Sequence, residues 1–324
     1  MSLCVVQSRQ DMYGLGIRLS SYLQWLAAIA FQRRAPKALP TIRVLGLLLS
    51  GGITIGLLAQ VIHGQLDPGA IHTLVLLATG PHLFLVPVYA WRLVTCCDDF
   101  WDPLRIYKED HLRTFRVLNY LQALAASSLG VWFYTTHLPN LRRDCHQYGF
   151  LFGQVRLDDN AALAAFNAML FLLIDGACIC FALSRVHGCW WVKGRSRKRR
   201  LGRKRIRAHQ RHMRRFHTVS NVCVFALLVV AIELPLNWNQ LSSSDRLDSS
   251  AQLIPLVVSI GFVVRTAFFA IAEVEDDEHS TTRRRATRAG QQSSAPVGEA
   301  GEGISGLPRR LPSVYAGQGV GRVE

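Results

Sequence analysis

Four ionisable side chains stand inside stretches that are otherwise apolar: Arg18, Asp175, Glu233 and Arg265. A charge at the centre of a membrane helix costs about 2.5 to 3.5 kcal/mol even on the lenient insertion scale, so such residues persist where they pair or where they work. At 1.5 Å of rise per helical residue, Arg18 and Glu233 fall roughly 7 Å and 9 Å to one side of the centres of their stretches. Asp175 and Arg265 fall roughly 4 to 6 Å to the other side. The depths predict two couples of opposite charge, Arg18 with Glu233 and Asp175 with Arg265. Static ion pairs, snorkelling near a span end and a path for an ion, proton or ligand all fit that pattern.

His82 stands beside Pro81, where a proline leaves a carbonyl without its helical donor. Imidazole titrates near neutral pH, so His82 is either a hydrogen-bonding partner inside a bundle or a proton-sensing group. Gly52 and Gly56 form a Gly-x-x-x-Gly, which permits close packing of helices. Eight cysteines are scattered without a C-x-x-C, so no zinc ribbon or dense disulfide framework is expected. Cys4 and Cys145 are either a possible disulfide or two free thiols. Cys96 and Cys97 lie at the end of an apolar stretch, a place where S-palmitoylation occurs. There is no G-x-S-x-G, H-E-x-x-H, P-loop or Gly-rich dinucleotide fingerprint. The expectation is a protein that is not an enzyme, with no cofactor and no metal.

What positions these residues is a series of long apolar stretches. The 324 residues are 50% hydrophobic and only 18% charged, against about 25% charged in an average soluble domain. A membrane helix needs about 20 mostly apolar residues, and seven segments qualify: Gly14–Phe31, Ile42–Ile62, Ala70–Trp91, Val117–Thr136, Ala161–Leu183, Thr218–Leu236 and Ser250–Ala272. The first is short and holds Arg18 and Gln24; the third holds Pro81 and Pro87 and reads as one kinked span. Counting Lys and Arg in the alternate connections puts thirty on one side and five on the other. By the positive-inside rule that sets the N-terminus outside and the C-terminus in the cytosol. The fold class expected is an all-α, polytopic bundle of seven transmembrane helices over residues 1–272. A basic cytoplasmic connection spans 184–217, and a tail over 273–324 is too polar and Ser/Gly/Pro-rich to bury a core, so it is expected to be disordered.

The net charge of +15 is local, because fourteen Lys and Arg lie between Arg185 and Arg215 without one acidic residue. The core of that run is Lys193, Arg195, Arg197, Lys198, Arg199, Arg200, Arg203, Lys204, Arg205 and Arg207. Bracketed by apolar spans, it is expected to face anionic lipid at about 1 kcal/mol per basic side chain near the surface, and not nucleic acid.

Four segments, DMYGLGIRLSSYLQW (Asp11–Trp25), CHQYGFLFGQVRL (Cys145–Leu157), ELPLNWNQL (Glu233–Leu241) and AQLIPLVVSIGFVVR (Ala251–Arg265), resemble a group of multi-spanning membrane proteins from filamentous fungi. The resemblance implies an integral membrane protein and no particular activity. Seven spans also invite comparison with G-protein-coupled receptors, but the third span ends Tyr89-Ala90-Trp91-Arg92, without Asp-Arg-Tyr, and the seventh lacks both Asn-Pro-x-x-Tyr and a lysine. Three functions from different classes follow. The first is a receptor or sensor with an external cavity; the second is a carrier of a small solute or proton; the third is a structural or scaffold protein. A path reaching Asp175 or His82 favours transport, a blind outer pocket by Arg18 and Glu233 favours sensing, and a solid bundle favours the scaffold.

Overall fold

The computed structural model describes residues 13–34, 39–63, 67–95, 113–140, 147–157, 160–186, 203–239 and 249–293. The chain divides into two compact units, Met1–Val274 and Glu275–Glu324. The helices are α1 (Leu15–Arg34), α2 (Leu39–Ile62), α3 (Pro68–Leu83), α4 (Val86–Val94), α5 (Arg113–Trp132), a short α6 (Leu138–Asn140), α7 (Ala161–Val186), α8 (Arg203–Trp238) and α9 (Ser250–Ser293). Between α5 and α6 the helix widens into a π-turn over Phe133–His137, where the Leu138 N–H reaches back to the Phe133 carbonyl.

Four helices are long and apolar enough to cross a membrane: α2, α7 as far as Cys180, α8 from Arg211, and α9 as far as Ala272. The pair α3 and α4, bent by 46°, makes a fifth if it is one span. α1 and α5 fall short, because each gives a face to polar groups: Arg18, Ser20, Ser21, Gln24 and Gln32 on α1, and Gln122 and Ser127 on α5, all buried. Seven expected segments thus fold as helices of which four or five carry a membrane-length apolar stretch.

α3 is the axis of the larger unit. All of its residues except Pro81 are buried, and it packs against α1, α2, α5 and α8. Proline is tolerated at its start, where Pro68 has no helical N–H to lose, and Pro81 marks its end. The chain breaks there: the Leu85 N–H turns back to the His82 carbonyl at 3.0 Å, and Pro87 falls in the first turn of α4, where the ring is again harmless.

Around this axis the usual burial pattern is turned inside out. On α7 the exposed large apolar residues are Phe166, Met169, Leu172, Leu173 and Ile179; on α9 they include Ile254, Val257, Phe268, Phe269 and Ile271. Among the described side chains of α9, over residues 250–272, the buried ones are Gln252, Ser259 and Thr266, a polar stripe at seven-residue spacing. A helix that shows its apolar side outward and its polar side inward is matched to a hydrocarbon solvent. Close approach between α1 and α9 depends on Gly16, where a Cβ would meet the backbone carbonyl of Gln252. Gly52, by contrast, is exposed with nothing within 4 Å of a built Cβ, so it is not used for packing inside the unit.

One end of the bundle is covered by an antiparallel hairpin, β1 (Tyr148–Phe150) and β2 (Gln154–Arg156), with Tyr148 opposite Arg156. Its tip, Phe152, takes φ 55 and is 80% exposed. Side-chain amides seat it on the helix ends. Asn239, just past α8, accepts from the Tyr148 N–H at 2.7 Å and donates to its carbonyl at 2.7 Å. Gln147 accepts from the Gly69 N–H at 2.8 Å, answering one of the open donors at the start of α3.

Two helices run past their expected ends. α8 begins at Arg203, so the later part of the basic connection is helical, including Arg203, Lys204, Arg205 and Arg207. α9 continues through Ser293, where the composition predicts disorder. The stretch Glu273–Ala289 contains neither Gly nor Pro, and seven of its seventeen residues are Glu or Arg. Such residues prolong a helix that is already nucleated. Lys193, Arg195, Arg197, Lys198, Arg199 and Arg200, the cysteine pairs Cys4 with Cys145 and Cys96 with Cys97, and the tail beyond Ser293 lie outside the described residues.

Candidate functional site

At the hairpin end, α1 and α8 are joined by charge. Arg18, 3% exposed, makes an ion pair with Glu233, whose side chain is 39% exposed. Arg18 Nε also donates to the Tyr13 carbonyl at 3.1 Å. Tyr22, one helical turn beyond Arg18 and so on the same face, donates its hydroxyl to the other oxygen of Glu233 at 2.8 Å. Three side chains therefore form one latch. Arg18 and Glu233 come from the sequence-predicted couple; Tyr22 carried no signal of its own, because a tyrosine in an apolar stretch reads as packing.

Asp175 and Arg265 do not meet. Asp175, half-buried, accepts from Ser127 and, at 3.5 Å, from Ser128, both on α5. Arg265 is on the exposed side of α9, with its guanidinium carbon 5.5 Å from the centre of the Phe269 ring. Depth along the axis is only half of a position. The face of α9 turned to the bundle runs through Gln252, Ser259 and Thr266, and Arg265 is one residue, about 100°, away from it. Of the two expected couples, Arg18 with Glu233 is the one that forms.

Between the ends, buried polar side chains tie helices together. Gln122 on α5 donates to Ser50 at 2.9 Å and to Thr54 at 2.6 Å on α2, while Ser50 donates to the Ala78 carbonyl of α3 at 2.6 Å. Ser20 and Gln24 of α1 bond Ser259 of α9 at 2.6 and 2.7 Å, and Ser20 reaches the Pro255 carbonyl at 3.0 Å. His72 and Tyr134 form a fully buried hydrogen-bonded pair between α3 and the π-turn, with Tyr134 stacked on Phe171. No motif announces that pair, since the π-turn that aims Tyr134 is invisible in the sequence.

The chemistry with room for a ligand lies at the opposite end, where α1 finishes, α2 and α5 begin, and α8 enters the bundle. A partly open cavity of about 360 Å³ reaches from there to the break between α3 and α4. Trp25, Ile29, Ile42, Leu47, Phe84, Leu85 and Phe115 give it apolar walls, and among the described residues its basic lining is Arg43, Arg116, His217 and His82, with no Asp or Glu. His217 Nδ1 is 3.2 Å from Gln32 Nε2, which bridges α8 to α1 beside the cavity. Trp91 of α4 packs on Phe216 with ring centres 4.8 Å apart. Deeper in, His82 Nε2 and Asn221 Oδ1 are buried atoms of the lining without a hydrogen-bond partner. His82 is 5% exposed and Asn221 7%. Buried polar atoms are nearly always paired, so two orphans facing one cavity mark where something else completes them. The Pro81 break does locate this site; Asn221 was missed, because a single Asn in an apolar run carries no periodic signal.

Among the described residues no group of three or more His, Cys, Asp or Glu is placed to hold a metal ion. No known protein family, no curated protein and no solved structure was found to match the chain.

Proposed function

We propose that the chain is a multi-pass membrane protein that carries a small solute, in a state with its basic-end cavity accessible and its other end latched. The observation that carries this reading is the cavity reaching a broken helix at His82, while the Arg18–Tyr22–Glu233 latch and the hairpin close the opposite end. Carriers place solute sites beside broken helices near mid-depth, where backbone and side-chain polar groups are free to bind. On this reading all seven helical segments cross, α1 and α5 using their polar faces inside the bundle. The excess of Lys and Arg at the cavity end makes that end cytosolic, and anionic lipid is the partner of the basic first turns of α8.

The test needs no knowledge of the solute. In a cysteine-depleted background, Asn221→Cys is labelled in sealed vesicles with a membrane-impermeant maleimide applied to either face. The carrier reading expects labelling from the face of the basic connections alone, and labelling from both faces once Glu233→Gln opens the latch. Labelling from neither face in both backgrounds would leave a scaffold. Labelling from the hairpin face alone would leave the sensor with an outer pocket.

A further inference from the structure

We infer that the β1–β2 hairpin is a bilayer anchor, its tip Leu151-Phe152-Gly153 seated among acyl chains at the headgroup boundary of the nearer leaflet. The inference rests on one part of the proposed function, that α7 crosses a membrane, and is independent of any carried solute. Two features of the tip point away from water. The Phe152 ring is exposed, and its backbone stands at φ 55. That left-handed conformation suits glycine or asparagine and is rare for a bulky residue. The loop from Phe150 to Gln154 has a glycine at hand in Gly153, yet the strained position carries the ring. In water neither the strain nor the bare ring has any compensation. Among acyl chains the exposure of the ring becomes favourable.

The place of the tip identifies the medium. At the base, Asn239 bonds both backbone groups of Tyr148. At Gly149 a Cβ would overlap Leu157 and Leu163, so β1 lies directly on the first turn of α7. From there the tip reaches the outward side of that helix. The rings of Phe150, Phe152 and Phe166 follow one another, with centres 6.4 and 6.5 Å apart. Phe166 opens the exposed apolar row that continues through Met169, Leu172 and Leu173. It stands five residues into α7, roughly 7 to 8 Å from the helix start, and helical side chains lean back toward the N-terminus. The Phe152 ring is therefore level with the opening turns of a helix whose apolar stretch begins at Ala161. Interfacial segments bury their aromatic and aliphatic side chains at that depth. Continuity with the outward row of α7 makes lipid the occupant, and Arg156, exposed at the base, faces headgroups and water.

In a cysteine-depleted background, Phe152→Cys, Phe166→Cys and Arg156→Cys are each labelled with a nitroxide, and the full-length protein is placed in phosphatidylcholine nanodiscs. Saturation of the spin signal is read with oxygen, which gathers in hydrocarbon, and with a nickel chelate, which stays in water. At position 152 the ratio of oxygen to nickel relaxation should be at least threefold that at 156 and close to that at 166. Nickel prevailing at 152 while oxygen prevails at 166 overturns the anchor and leaves α7 in the membrane. Nickel prevailing at both overturns the span on which the inference rests. Shielding of 152 from both reagents overturns the lipid occupant in favour of a second copy of the chain. Because the label replaces the ring, amide exchange in the same nanodiscs tests the ring itself. Phe152→Asn relaxes the left-handed turn but removes the apolar side chain, whereas Phe152→Leu keeps an apolar side chain in the strained turn. Exchange over Tyr148–Arg156 should quicken at least threefold in Phe152→Asn and stay near the parent's in Phe152→Leu. Exchange in Phe152→Asn no faster than the parent's overturns the anchor.

Discussion

Arg18 and Glu233, 215 residues apart in the chain, meet with unequal burial: the arginine is almost wholly enclosed and the glutamate keeps 39% of its side chain exposed. The two partners are therefore not equivalent. Glu233→Gln removes the carboxylate from an enclosed guanidinium, whereas Arg18→Gln leaves a less buried carboxylate that still accepts from the Tyr22 hydroxyl. Breaking a buried pair from one side costs about 3 to 5 kcal/mol, and the partial exposure here places Glu233→Gln at about 3. Arg18→Gln should cost less than Glu233→Gln, and Tyr22→Phe about 1 kcal/mol for a lost hydrogen bond. Thermal unfolding in detergent ranks the three; an Arg18 variant weaker than the Glu233 variant would contradict the asymmetry.

Asp175 and Arg265 should behave as strangers. A double-mutant cycle of Asp175→Asn with Arg265→Gln is expected to be additive within about 0.5 kcal/mol, the range for residues that share no partner. Asp175→Asn with Ser127→Ala should instead couple by more than that, because Ser127 donates directly to the carboxylate. Coupling in the first cycle and none in the second would reverse the assignment.

Gly80 holds the cavity open by what it lacks. A Cβ there would overlap the indole of Trp25, which is itself part of the wall. Gly80→Ala is expected to displace the ring into the cavity, at a cost of about 1 to 3 kcal/mol for overpacking. Tryptophan emission should shift relative to the parent, with a Trp25→Phe control removing the shift. Maleimide labelling of Asn221→Cys should slow in the same variant; an unchanged rate would mean the indole relaxes elsewhere.

The polar clamp of α2, α3 and α5 gives a fourth expectation. Gln122→Leu removes bonds to Ser50 and Thr54, and interhelical hydrogen bonds in membranes average about 0.6 kcal/mol with a maximum near 1.7. A loss of about 1 kcal/mol is expected by unfolding in bicelles. A loss above 3 would mean the amide does more than bridge two hydroxyls.

Hydropathy located the apolar stretch of every long helix within a few residues, because twenty apolar residues in a row have few other uses. It missed the polar extensions of α8 back to Arg203 and of α9 on to Ser293. The opposite-charge match of Arg18 and Glu233 was legible for a similar reason: few charges are buried, and depth alone leaves few partners. The same rule failed for Asp175 and Arg265, since it ignores which way around the helix a side chain points. The prolonged α9 was hidden by its polarity, a good guide to burial and a poor one to helix propagation. Asn221 and Tyr134 were hidden because their meaning lies in a neighbour's geometry, a break in α3 and a π-turn after α5, that no local pattern encodes.

The polar stripe of α9 has a consequence for how that helix is set in place. In lipid, trading contact with protein for contact with acyl chains is nearly neutral, so apolar surface exerts little torque on a helix about its own axis. Turning α9 by one residue would carry Gln252, Ser259 and Thr266 out toward chains that offer no hydrogen bonds. Ser20 and Gln24 would lose Ser259 in the same motion. The three polar residues act like the teeth of a key: they contribute little grip, but only one angle lets all of them seat.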